Sequence, residues 1–218
     1  MSDRDAILAR IRERLPAGDR EESAAARLRE HPAGPLPERA RGDDPTLQQR
    51  FREQAQAASA EIIDADGPDE LPGIITGLLD AESTDQDPTA DAQAAAGVVV
   101  DESLLAELGA IGSCRRAEPS DALAVSRALC GIAETGTLVL RSGPGRPTTA
   151  AFLPPIHVVV LDRTEIVGGY EDAWDRVRAA GDTPRTVNWI TGPSRSADIE
   201  QTLNMGAHGP IRLVIVLV

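Results

Sequence analysis

The sequence contains no lysine, so all 22 of its basic residues are arginines, set against 35 aspartates and glutamates. The absence of lysine excludes a Schiff-base lysine, a pyridoxal phosphate anchor and the lysine of a Walker-type phosphate site. The formal net charge is −13, and no basic tract occurs. This charge argues against nucleic acid and against an anionic membrane surface as partners.

Cysteine, histidine and aromatic residues are also scarce. Cys114 and Cys130 form no paired motif, and two thiols are too few for an iron–sulfur cluster, which normally takes four thiolates. The three histidines lie far apart without metal-site spacing. We therefore expect no cofactor and no metal in this chain. Aromatics make up 2% of the residues, so Leu, Ile, Val and Ala must build the core.

Long hydrophobic runs are absent as well. The longest, at residues 156–161 and 213–218, are far too short to span a bilayer. The charged N-terminus leads into an amphipathic pattern rather than a signal peptide. We expect a cytoplasmic protein without membrane insertion.

Two regions are predicted along the chain. Residues 1–45 hold an amphipathic helix at 2–15 and a proline-rich linker from His31 to Pro45. Residues 46–218 alternate between strand and helix patterns, and most strands are continuous Val/Ile/Leu runs, which indicates an α/β domain with an open, mostly parallel sheet and helices on both faces. Strands are predicted at 62–63, 98–100, 137–140, 156–161, 187–190 and 213–218, and helices at 47–60, 68–79, 103–108, 121–132 and 197–205.

A loop of glycine, proline, hydroxyls and arginine separates the strand at 187–190 from the helix predicted at 197–205. It comprises Gly192, Pro193, Ser194, Arg195 and Ser196. A helix that begins there presents unpaired N–H groups to an anion, and Arg195 adds a cation. The same spacing also fits a simple capped turn, with Ser194 or Ser196 as N-cap.

A second loop, at residues 134–137, is expected to link a helix to a strand. Gly136 suits a tight turn, and Thr135 and Thr137 can bond backbone groups. Glu134 sits among small apolar residues, so it must reach solvent or pair with an arginine such as Arg146 or Arg195. A carboxylate there is also a candidate base or nucleophile.

Three further candidates lie nearby in sequence. Arg146 stands in a Gly/Pro-rich loop and could close over a carboxylate or phosphate. His157 lies in an apolar strand, where a core histidine bonded through one nitrogen is more common than a catalyst. His208 lies in a turn before the last strand and could approach the site.

Four blocks in order, at 131–137, 153–157, 191–200 and 206–210, resemble the LUD-domain family from about Ser126 to Val218. The resemblance implies a fold like that of ribose-5-phosphate isomerases and CoA transferases. It also implies a role in oxidising L-lactate to pyruvate beside two iron–sulfur proteins.

Three hypotheses follow from the residues and the resemblance. In the first, the chain is a non-redox component of a lactate-oxidation system that binds a small anionic ligand and iron–sulfur partner proteins, which carry the clusters. In the second, it is a stand-alone enzyme of CoA-transferase-like or phosphate-dependent type that uses Glu134 and Arg195. In the third, it is a scaffold whose glycine-rich loops are purely structural.

Overall fold

The computed structural model describes residues 3–14, 20–30, 34–85, 97–181, 183–197, 203–205 and 209–218. The chain divides into two compact units, Met1–Pro35 and Leu36–Val218. The first unit contains helices α1 (Asp3–Arg14) and α2 (Arg20–Glu30). Sequence analysis predicted α1 but missed α2, whose arginine, glutamate and alanine residues favour a helix without forming an apolar stripe. No described helix is long and apolar enough to cross a membrane.

The second unit carries the sheets. Its described helices are α3 (Asp44–Ala57), α4 (Leu71–Asp85), α5 (Leu105–Leu108) and α6 (Tyr170–Ala179), and its described strands are β1 (Glu61–Asp64), β2 (Val98–Val100), β3 (Leu123–Arg127), β4 (Cys130–Ile132), β5 (Thr137–Arg141), β6 (Ile156–Leu161), β7 (Ile166–Val167), β8 (Val187–Ile190), β9 (Arg195–Ala197), β10 (Leu203–Met205) and β11 (Arg212–Leu217).

A five-stranded parallel sheet forms the centre, in the order β1-β11-β6-β3-β2. Every residue of β6 is buried, because helices and a second sheet cover the two faces. Val158 and Val160 face one cluster with Leu71 and Ile75 of α4. Val159 and Leu161 face the other, whose α3 residues are Leu47, Phe51 and Ala55. The mostly parallel sheet with helices on both faces is thus confirmed.

A second sheet, ordered β7-β4-β5-β8, packs between the parallel sheet and α6. It was not predicted, and the helix expected at 121–132 is wrong: those residues form β3 and β4. Small residues such as Ala122, Ala124 and Ala128 suit a helix locally. Pairing of β3 with both β2 and β6 overrides that preference.

The helix expected at 197–205 is also wrong in its described part. Residues 195–197 are β9, which pairs with β10 at 203–205 in a two-stranded antiparallel ribbon. Residues 198–202 lie outside the described part of the chain. Ile199, whose spacing from Leu203 suggested the helix, is one of these residues, whereas Leu203 begins β10.

Candidate functional site

The Gly192–Ser196 loop packs against the end of α3. Gly192 has φ +76°, and a Cβ there would stand 2.1 Å from the Ala58 carbonyl oxygen. The Arg195 guanidinium donates to the same carbonyl at 3.1 Å and to the Ser59 hydroxyl. Ser194 N–H donates to the Pro210 carbonyl at 2.8 Å. Because β9 follows this loop, the described residues offer no helix N-terminus for an anion.

Glu134 lies in the hairpin turn between β4 and β5, not in the expected helix-to-strand link. Its carboxylate pairs with Arg39 at 2.7 Å, and only 8% of the Glu134 side chain is exposed. Pairing with an arginine is confirmed, but Arg39 replaces the expected Arg146 or Arg195. Since Arg39 and Glu134 are 95 positions apart in the chain, local spacing gave no sign of this pair.

Hydroxyl groups and one glycine fix this turn. Thr137 Oγ1 lies 2.7 Å from Thr135 Oγ1, 2.6 Å from Thr191 Oγ1 and 3.3 Å from the Tyr170 hydroxyl. Gly136 has φ +65°, and a Cβ there would stand 2.2 Å from the Ala55 nitrogen. Both predicted glycine loops therefore serve close packing against α3.

A different set of arginines surrounds open space. Three adjoining cavities of about 740, 360 and 20 Å³ all share Arg141 and Arg146 in their walls. Arg127, Arg176 and Arg185 complete the arginine lining among the described residues. We call these five side chains and the space between them the arginine cleft.

The cleft lies at the carboxyl ends of parallel strands. Arg127 is the last residue of β3, and Asp101 directly follows β2. Arg141 is the last residue of β5 and Thr137 is the first. At a rise of about 3.4 Å per residue, the two lie roughly 14 Å apart along the strand. Ligands in open α/β sheets bind at such an edge. Of the predicted site residues, Arg146 alone lies among the described lining of the cleft.

The lining of the cleft carries an excess of positive charge, whereas the net charge of the chain is negative. Five arginines and three carboxylates (Asp101, Glu102 and Glu165) line it, although acidic residues outnumber basic ones 35 to 22 overall. Arg146 approaches Asp101 only to 3.5 Å, and Arg127 approaches Glu107 to 3.5 Å. These separations exceed a normal N–H···O bond, so the guanidinium groups of Arg146 and Arg127 keep donors for another acceptor, whereas Arg176 pairs with Glu165 at 2.7 Å.

The loop that carries Arg146 is a folded turn rather than a flexible connection. Gly145 has φ +67°, and its carbonyl accepts from Glu102 N–H at 2.9 Å and from the Cys114 thiol at 3.3 Å. Arg146 N–H donates to the Gly143 carbonyl at 3.1 Å. Burial, with the nearby Glu102 and Asp101, raises the pKa of Cys114. The turn thus holds Arg146 over the cavities before any ligand arrives.

The smallest of the three cavities has a volume of about 20 Å³ and is lined by Arg127, Arg141 and Arg146. We call it the recess. Ser126 and Asn188 contribute neutral polar groups to its wall. The Ser126 hydroxyl lies 3.0 Å from His157 Nε2, as expected of a core histidine bonded through one nitrogen. Burial lowers the pKa of His157 to about 4, so the ring is neutral near pH 7. The recess has room for about one water-sized group.

Sequence reasoning missed Arg127, Arg141, Arg176 and Arg185. The usable signal was an arginine at the last position of an apolar strand, which holds for Arg141. Arg127 gave no such signal, because the pattern of residues 121–132 predicts a helix and not a strand that ends at Arg127. His208 lies outside the described residues, as does the Ser196 side chain. Burial raises the pKa of the Cys130 thiol to about 12. Among the described residues, no group of three His, Cys, Asp or Glu side chains is placed to hold a metal ion.

The half of the chain that carries the five cleft arginines is similar to known proteins. The family model of the LUD domain matches residues 114–218. The resemblance to the LUD-domain family is confirmed. The matched LUD segment includes Arg127, Arg141, Arg146, Arg176 and Arg185, whereas Asp101 and α3 precede it.

Two curated relatives illustrate the similarity. An uncharacterized protein of Neisseria meningitidis serogroup B is 42% identical over 94 residues, or 43% of this chain and 40% of that protein. Lactate utilization protein C of Bacillus subtilis is 40% identical over 91 residues, or 40% of this chain and 38% of that protein. The similarity therefore spans about two fifths of the length of these relatives.

One solved structure shows the same fold. A DUF162 family protein from Deinococcus radiodurans aligns with a TM-score of 0.60 and 20% sequence identity, covering 82% of this chain and 99% of that one. The likeness thus extends well beyond the LUD segment.

Proposed function

We propose that this chain is a non-redox component of a lactate-utilisation system, and that it binds a small carboxylate in the arginine cleft. The observation that carries the proposal is a cleft lined by five arginines, of which Arg127 and Arg141 end β3 and β5, in a chain of net charge −13. The planar guanidinium fork matches a carboxylate in two parallel hydrogen bonds. Relatives named lactate utilization protein C supply the ligand class, lactate or its product pyruvate.

The shape of the cleft suits a 2-hydroxy or 2-oxo acid. Arg146 and Arg127 stand where they can hold the carboxylate. The recess beside them offers Ser126 and Asn188, which can bond the neighbouring hydroxyl or carbonyl oxygen. Because the recess has a volume of about 20 Å³, it admits one such oxygen and no bulky substituent.

Electron transfer is assigned to partner proteins. The sequence has two cysteines, too few for a four-thiolate cluster. We propose that iron–sulfur lactate-utilisation proteins carry the clusters and bind this chain. Co-purification of the full chain with those proteins tests the assignment, and failure to co-purify under any carboxylate concentration would contradict it.

The stand-alone enzyme that uses Glu134 and Arg195 gains no support from the geometry. Arg39 neutralises Glu134, and Arg195 is held at the end of α3. Neither side chain lines the arginine cleft.

Isothermal calorimetry of the full chain with L-lactate, pyruvate and phosphate tests the ligand. We expect saturable binding of lactate or pyruvate, and about 10- to 100-fold weaker binding in Arg146→Gln, because a charge-assisted pair is lost. Arg178→Gln is the matched control: Arg178 pairs with Asp175 on α6 and does not line the cleft. Equal affinities in the two variants, or no saturable carboxylate binding, would contradict the proposal.

A further inference from the structure

A further cavity, distinct from the arginine cleft, is bordered by Ala151 and Phe152 at the C-terminal end of the short helix Thr148–Ala151. Its volume is about 230 Å³. Half of its described lining residues are large and apolar: Phe152, Trp189, Ile190, Pro193, Pro210 and Leu213. Among the described residues, no arginine and no carboxylate lines it. It differs in this respect from the arginine cleft, and the two walls share Ala151.

His157 is one of three residues with a polar side chain in this mostly apolar wall, together with Thr191 and Ser194. The residue is completely buried. It is the second residue of β6 and forms part of the cavity wall. Its Nε2 is occupied by the Ser126 hydroxyl, whereas its buried Nδ1 has no hydrogen-bond partner within the described chain. A buried polar group without a partner is destabilising, and native structures seldom retain one without a reason.

The placement of aromatic residues points the same way. Two of the five aromatic residues of the chain, Phe152 and Trp189, belong to this wall, and the ring of Trp189 lies on the face of β8 that packs against α6. Trp189 also contacts Tyr170 and Trp174, with ring centroids 5.4 and 5.0 Å apart. Phe152 remains 46% exposed at the opening. Thr191 and Ser194 also belong to the wall, and mostly apolar walls with a few polar groups are typical of small-molecule sites.

We propose that this cavity binds a small, neutral, largely apolar molecule that carries one hydroxyl group, with the hydroxyl bonded to His157 Nδ1. A hydroxyl both donates and accepts, so it satisfies Nδ1 in either tautomer of the neutral ring. The absence of charged groups from the described wall disfavours an ionised ligand such as lactate. The site is therefore distinct from the carboxylate site of the arginine cleft.

Binding of 4-cresol and toluene to the full chain tests this site. In Trp174→Phe, Trp189 is the sole tryptophan, and its fluorescence reports changes at strand β8, which borders the cavity. We expect saturable quenching by 4-cresol and at least tenfold weaker binding of toluene, which lacks the hydroxyl but keeps the ring. A shift of the His157 Nδ1 signal in ¹⁵N NMR should accompany cresol binding.

His157→Leu provides the matched comparison. It removes Nδ1 and keeps an apolar side chain, so cresol and toluene should then bind within about twofold of each other. If this variant does not fold, the preference for cresol over toluene in Trp174→Phe and the NMR shift decide the matter alone. Equal binding of the two probes there, or no quenching up to the solubility of cresol, would overturn the proposal and leave a water as the partner of Nδ1.

Discussion

At the residue scale, the glycines of the two predicted loops are explained by contact with α3. Gly136 and Gly192 both have positive φ, and both abut the backbone of α3 or of Ala58, which follows it. The sequence pattern identified these glycines correctly as turn positions. It could not show what each turn packs against, because residues 54–58 lie far away in the chain.

Gly136→Ala should lower the free energy of unfolding. A left-handed backbone conformation costs a non-glycine residue roughly 1–3 kcal/mol, and a Cβ 2.2 Å from the Ala55 nitrogen must also displace α3. Urea denaturation measures the loss. Gly77→Ala is the control: it lies in α4 with no atom near its added Cβ, and it should raise stability by about 0.5–1 kcal/mol. Similar effects of both substitutions would argue against the close contact.

His157 should make folding pH-dependent. Its pKa falls from 6.5 to about 4 on burial, so the unfolded chain binds more protons between these values and stability rises with pH there. This contribution is complete above about pH 6.5. Between pH 7 and pH 5 the residue should account for a loss of about 2 kcal/mol. Denaturation of His157→Leu at both pH values should show a fall smaller by that amount; an equal fall would exclude this residue as the source.

At the element scale, prediction succeeded where the apolar pattern was unambiguous. β2 and β6 fall at the predicted residues, since runs of Val, Ile and Leu leave few alternatives. The helix predictions at 121–132 and 197–205 fail because the alanine and serine residues of β3 and β9 are compatible with either structure. Their strands are specified by pairing with distant partners, such as β6 for β3, which no local window contains.

Helix α3 joins the two sheets, and Phe51 is its central contact. Phe51 is fully buried, and its ring lies against Gly131 of β4 and near Leu161 of β6. Phe51→Ala should lower the free energy of unfolding by about 3–5 kcal/mol, through lost burial and a cavity. Gln56→Ala, an exposed position on the same helix, should change it by less than about 0.5 kcal/mol. Thermal or urea denaturation distinguishes the two.

At the scale of the whole molecule, charge is distributed unevenly. An acidic chain without lysine places five arginines around one cleft at the carboxyl edge of its parallel sheet. From the sequence, an anion site was expected only at the two loops that carry Arg146 and Arg195. The location of the cleft depends on which strand ends meet, and this follows from the strand order β1-β11-β6-β3-β2 rather than from any one motif.

Arginine footprinting tests the central claim most directly. The full chain is labelled with phenylglyoxal with and without L-lactate or pyruvate, and modification of each arginine is read by peptide mass spectrometry. We predict that the ligand slows labelling of Arg127, Arg141 and Arg146 at least fivefold and leaves Arg178 and Arg195 unchanged. Protection centred on Arg195, or no protection at the three cleft arginines, would contradict a carboxylate site at the carboxyl edge of the sheet.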